Sequence, residues 1–147
     1  MRHERTDEST VSDLLFHPSW ERMKIKRGPL DKLFSTIIRT RDGWTCQCCH
    51  KKYTERSGGL HCAHAFSRRH LGIRWEEDAA CALCFGDHQF LDSHAEEKIA
   101  FFRARIGDKR YDELYARTKV LFRVDETMVL LRLRSRHKEL LNGVSVG

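Results

Sequence analysis

Four cysteines in two CxxC pairs, Cys46/Cys49 and Cys81/Cys84, set the tightest limit on what this chain can fold into. Two thiolates three positions apart reach one ion from a single turn. Two such turns close a tetrahedral zinc site, which gives a small domain the stability that its apolar core alone does not supply. His61, His64 and His70 lie between the pairs, and His88 and His94 just beyond, so candidate metal ligands and a candidate general base share one short span. Cys48 sits inside the first pair, where the turn directs its side chain away from the ion, and reads as a spare thiol. The spacing alone selects Cys46, Cys49, Cys81 and Cys84 as the ligands of a structural Zn²⁺.

The charge balance names a class of partner. In 147 residues, 27 Lys and Arg stand against 21 Asp and Glu, giving a net charge of +6, and the excess collects around the histidines rather than in a tail. Nucleic acid, DNA first, is the expected partner of such a surface. No apolar run approaches the ~20 residues of a membrane span and the opening MRHERTDEST has no apolar signal core, so no membrane partner and a cytoplasmic location are expected. Six cysteines in a reducing compartment then point to metal ligands and buried thiols rather than disulfides.

Along the chain, residues 1–29 read as a polar N-terminal arm with one docked helical turn, and residues 30–147 as a single domain. After Pro29, Leu30, Leu33, Phe34, Ile37 and Ile38 make the stripe of an amphipathic helix that Gly43 ends. Its polar side offers Arg39 and Arg41 to phosphate or to solvent. The Ser57-Gly58-Gly59 turn leads into a strand at Leu60, whose alternation puts His61 and Ala63 on one face and Cys62, His64 and Phe66 on the other. Residues 67–78 form a loop carrying Arg68, Arg69, His70 and Arg74, with Trp75 to pin it. Arginine suits phosphate there because its planar fork bonds two oxygens at once. Lys51 and Lys52 add charge nearby. Helical spacing follows from His88 to Phe102 with a break near Ser93, then Asp108 and Asp125 cap two further helices, the last carrying Met128, Leu131 and Leu140.

Taken together these residues resemble the HNH, or ββα-metal, endonucleases, most closely the small phage-type, NinG-like recombination nucleases. The resemblance runs over residues 30–117. It rests on the first CxxC knuckle, on Ala63-His64-Ala65-Phe66-Ser67-Arg68 as the hairpin element xHxxxR, on the Arg74-Trp75 pair, and on residues 79–88 as the segment NxxxLCxxCH. It implies an α+β fold, a small ββα-metal (His-Me finger) centre with a zinc knuckle surrounded by helices. The implied activity is metal-dependent hydrolysis of DNA phosphodiester bonds, in phage-derived recombination or DNA processing. In that family pattern His64 is the general base and His88 holds a catalytic Mg²⁺ or Mn²⁺, while the charge of Arg68, Arg69, Arg74, Lys51 and Lys52 puts them on the nucleic acid.

Three positions depart from the pattern. Ala79 stands where relatives carry the Asn that orients the base, which predicts a slow enzyme that Ala79→Asn accelerates. Ala63 stands where many relatives have a second metal ligand, leaving the ion to His88 with His61, Asp92 or His94 as helpers. Asp87 replaces the last knuckle cysteine, so the family register gives Cys46, Cys49, Cys84 and Asp87 as an alternative zinc set. The four-cysteine set is preferred because thiolate is the softer ligand. Ala63 and Ala79 also keep open an HNH scaffold that has lost cleavage and acts as a zinc-stabilised nucleic-acid-binding or assembly module.

Overall fold

The computed structural model describes residues 25–143, so most of the expected arm lies outside the described residues. Pro29 opens helix α1 (Pro29–Arg41), where its missing N–H costs no helical hydrogen bond. Asp31, in the first turn, accepts from Gly28 N at 2.9 Å. Gly43 and Trp44, left-handed at φ 63° and 54°, turn the chain away after Asp42. The expected stripe is buried: Phe34, Ile37 and Ile38 are at most 1% exposed, with Leu30 and Leu33 at its margin. Each of the three contributes roughly 1.5–3 kcal/mol. Arg39 and Arg41 make contacts within the fold. Arg41 donates to the carbonyls of Glu77 and Ala80 at 2.6 and 2.8 Å, and Arg39 lies over the Trp44 ring.

Strands β1 (Leu60–His64) and β2 (Ala80–Cys84) pair antiparallel, Leu60 opposite Cys84 and His64 opposite Ala80. Ala65 N donates to Ala79 O at 2.8 Å, carrying the ladder one step into the basic loop between the strands. Trp75, 5% exposed, pins that loop into the cluster formed by α1. A single 3₁₀ turn, Glu77–Ala79, returns the chain to β2.

Four helices complete the α+β fold: α2 (Phe85–Ser93), α3 (Ala95–Ile106), α4 (Asp108–Arg117) and α5 (Glu126–Leu141). His94 breaks α2 from α3, and Gly107 at φ 85° ends α3. The Asp125 carboxylate caps α5, accepting from Thr127 N and Met128 N at 3.0 and 3.3 Å. The hairpin is sandwiched. One apolar cluster joins it to α1, Trp75 and Leu133 of α5; another joins it to Leu91 of α2, Phe102 of α3 and Tyr111 of α4. The buried face of α5 differs from the expected one. Met128 and Leu131 are 62% and 54% exposed, while Leu133 is buried with Val129 and Leu140 beside it. Apolar residues occur on more than one side of α5, so its own period does not select the face that meets α1. No described helix is long and apolar enough to cross a membrane.

Candidate metal centre and histidine cleft

Cys46 and Cys49 from the turn after α1, Cys84 at the start of α2 and Asp87 in its first turn converge, with all four ligand atoms within 4.8 Å of one another. Asp87 Oδ2 lies 3.2 Å from both Cys46 Sγ and Cys84 Sγ, and Cys49 Sγ lies 3.9 Å from Cys84 Sγ. A tetrahedral ion with metal–sulfur bonds of about 2.3 Å and a metal–oxygen bond of about 2.1 Å sets sulfurs about 3.8 Å apart and sulfur from oxygen about 3.6 Å. The group has the spacing to hold a metal ion. Locally, His50 N donates to Cys46 O at 2.9 Å, and His50 closes the turn in the left-handed conformation at φ 63°. Cys48 is exposed and stands outside the group.

Cys81 is not in this group, and the four-cysteine expectation is corrected to the set ending in Asp87. The reason is local geometry. Residues 80–84 are a strand, in which side chains three positions apart project to opposite faces, so Cys81 and Cys84 cannot act as a knuckle. Cys81 is fully buried among Leu60, Ala63 and Phe102, and burial pushes its thiol up to about 12. Cys84 and Asp87 instead span the strand-to-helix junction, where Asp87 N donates to Cys84 Sγ at 3.4 Å.

Asp87 thus fixes the first turn of α2, and the next residue, His88, reaches a different neighbourhood. His88 Nδ1 is 3.2 Å from His61 Nδ1, and His88 Nε2 is 3.2 Å from Asp92 Oδ2, whose other oxygen accepts from Lys98 at 2.8 Å. His88 lines a cleft of about 350 Å³ together with His64, Arg68, Asp92, Lys98 and Arg27. His94 stays outside, exposed, its Nδ1 2.7 Å from Phe90 O.

His64 Nε2 is buried and has no hydrogen-bond partner among the described residues, and the same holds for Arg68 Nη1. Burial, helped by the Arg68 charge, pushes the His64 pKa down to about 4, against Asp31 and a hydrogen bond from the ring to the Arg74 backbone. The lowered pKa keeps the His64 ring neutral near pH 7, and the residue lines the cleft. His88 is likewise lowered, chiefly by burial, with Asp92 opposing.

The expected phosphate-binding residues divide. Arg68 lines the cleft; Arg74 does not, because its guanidinium donates to both Asp31 oxygens, at 2.9 and 2.5 Å, and to Lys26 O at 3.2 Å. Arg69 is exposed on the loop and lines a separate groove with Lys119 and Leu121. Lys51 and Lys52 are exposed beside the knuckle and do not line the cleft.

Asp31, which sequence reasoning passed over, is the hub of this region. Besides Arg74 and Gly28 it accepts from Trp75 Nε1 at 3.2 Å, and although burial raises its pKa, Arg74 holds it below the usual carboxylate range. Its sequence signal was an acid in the first turn after Pro29. Lys98 and Arg27 were also missed, since only the packing of α3 and of the segment before α1 brings them to the cleft.

A broader groove between the loop and α5, lined by Leu71, Trp75, Phe122 and Met128, contains no histidine or cysteine. Compared with known proteins, the chain matches no family model, no curated protein and no solved structure.

Proposed function

We propose that this chain is a divalent-metal-dependent HNH-type endonuclease that hydrolyses DNA phosphodiester bonds on a ββα centre held by a structural zinc ion. One observation carries the reading: His64, whose buried Nε2 lacks a hydrogen-bond partner among the described residues, Arg68, whose buried Nη1 lacks one likewise, and His88 share one cleft. Buried polar atoms without partners are rare in folded proteins and cost about 1–3 kcal/mol each. A phosphate oxygen for Arg68 and a water for His64 would satisfy both. Cys46, Cys49, Cys84 and Asp87 are the residues that would hold zinc, since three thiolates and a carboxylate suit that ion. The hairpin running directly into α2, with His64 on β1 and His88 on α2, agrees with the expected ββα arrangement.

In this reading His64 Nε2 takes a proton from the attacking water as the new P–O bond forms and the P–O3′ bond breaks. General-base help of this kind is typically worth ~10²–10⁴ in rate. Arg68, assisted by the Lys98 and Arg27 charges, binds the phosphate. A divalent ion at His88, when bound, would neutralise charge on the phosphate and on the departing oxygen. Ala79 is 2% exposed and packs with Ile73 and Leu114, an apolar cluster that a larger amide side chain would have to enter.

The competing reading, a binding module without cleavage, draws on Ala63, whose buried methyl supplies no second ligand beside His64. Plasmid and branched-DNA cleavage with Mg²⁺ or Mn²⁺, wild type beside His64→Ala and His88→Ala, decides between them. The nuclease reading expects cleavage that His64→Ala abolishes and His88→Ala strongly reduces. Cleavage unchanged in His64→Ala, or salt-sensitive binding with no cleavage by wild type, would overturn it.

A further inference from the structure

We infer that His61 and His88 together form a two-imidazole site for a first-row transition-metal ion, with Asp92 orienting His88, and that this site discriminates against Mg²⁺. The inference rests on the proposed function in one respect only, that the ion serves the cleft which His88 lines.

The argument starts from spacing. Two imidazole nitrogens bound to one ion at about 2.0–2.1 Å lie about 2.9 Å apart at octahedral angles and about 3.4 Å apart at tetrahedral ones. The two Nδ1 atoms are 3.2 Å apart, between those limits. His88 has the second partner that histidine ligands use: Asp92 Oδ2 stands 3.2 Å from Nε2, so the proton belongs on Nε2 and the Nδ1 lone pair faces His61. Lys98 holds the other Asp92 oxygen at 2.8 Å, which keeps the carboxylate in place and away from the ion. His61 is positioned by β1, opposite Leu83, and its ring meets the Phe85 ring edge-on at 5.7 Å.

Ligand chemistry then sets the class of ion. Two neutral imidazoles favour Mn²⁺, Co²⁺, Ni²⁺ or Zn²⁺, whereas Mg²⁺ prefers oxygen ligands and retains its waters. The protein supplies two nitrogens, so the remaining positions are left to water; His88 lines the cleft and His61 does not. His61 therefore replaces the ligand that Ala63 cannot supply, one pleat earlier on the same strand face.

The test is metal binding, independent of turnover. The full chain is first loaded with one equivalent of zinc and then titrated with Mn²⁺, followed by loss of the free-ion electron paramagnetic resonance signal, and with Co²⁺, followed by its visible absorption. Wild type is expected to bind one further equivalent of either ion, with nitrogen hyperfine couplings from two imidazoles and no displacement by equimolar Mg²⁺. His61→Ala and His88→Ala should each weaken binding at least about 10-fold, and Asp92→Asn by about 10-fold. His61→Phe keeps the ring packing against Phe85 but removes both nitrogens, and should behave as His61→Ala even where the alanine variant melts early. Wild-type affinity in His61→Phe, a single-nitrogen coupling, or no binding beyond the first zinc equivalent overturns the site and leaves a plain His61–His88 hydrogen bond. Two-nitrogen binding without DNA cleavage upholds the site and sinks the nuclease reading instead.

Discussion

Replacing Asp87 by alanine removes the single oxygen of the candidate metal group, the atom 3.2 Å from two of its three sulfurs. Structural zinc contributes roughly 10–16 kcal/mol of apparent binding free energy, so one ligand of four carries about 3 kcal/mol, or about 100-fold in affinity. Cys81→Ala supplies the contrast. Its sulfur is fully buried in the apolar cluster and absent from the group, so the variant should lose about 1 kcal/mol of stability to the small cavity and none of its zinc affinity. Competition with a chromophoric chelator at fixed pH measures the zinc affinity, and thermal unfolding of the same samples measures the stability. Asp87→Cys should bind zinc more tightly than wild type, because a fourth thiolate suits that ion better than a carboxylate. The reasoning fails if Asp87→Ala keeps wild-type zinc affinity, or if Cys81→Ala loses as much of it as Asp87→Ala.

Three further outcomes follow from the same packing. Asp31→Ala leaves Arg74 without its carboxylate, and Trp75 Nε1 and Gly28 N without an acceptor, and should cost about 3 kcal/mol in urea unfolding; a loss under about 1 kcal/mol would deny Asp31 its central place. The His64 pKa falls from 6.5 to about 4 on folding, so the unfolded chain takes up that proton first. Stability from this group is complete above pH 6.5 and is lost as pH drops toward 4, by roughly 3 kcal/mol, relative to His64→Gln; equal pH dependence in both proteins would refute it. Ala79→Asn, which the sequence pattern expects to speed cleavage, should instead destabilise the domain by about 2 kcal/mol with no gain in rate, because its amide enters the Ile73 and Leu114 cluster; faster cleavage at an unchanged melting temperature would contradict this.

Local rules sufficed for much of the chain. The period of Leu30 to Ile38, Pro29 at the helix start, the Ser57-Gly58-Gly59 turn, the break near Ser93 and the Asp125 cap each depend on neighbours within a few residues, and each is found at or next to the expected position. The first knuckle pair was legible for the same reason, since Cys46 and Cys49 act within one turn.

Tertiary structure decided what depends on distant partners. Cys81 or Asp87 as the fourth ligand could not be read from spacing, because CxxC describes a turn only when its backbone turns, and pairing with β1 keeps residues 80–84 extended. Arg68 and Arg74 look alike in the sequence, yet Asp31, more than forty residues away in the chain, engages Arg74, while Arg68 lines the cleft with a buried Nη1 that has no partner among the described residues. The buried face of α5 was chosen by α1 rather than by its own hydrophobic period. Short-range chemistry is written in adjacent residues, whereas the choice among chemically equivalent side chains is made by burial and by partners that only folding brings within hydrogen-bonding range.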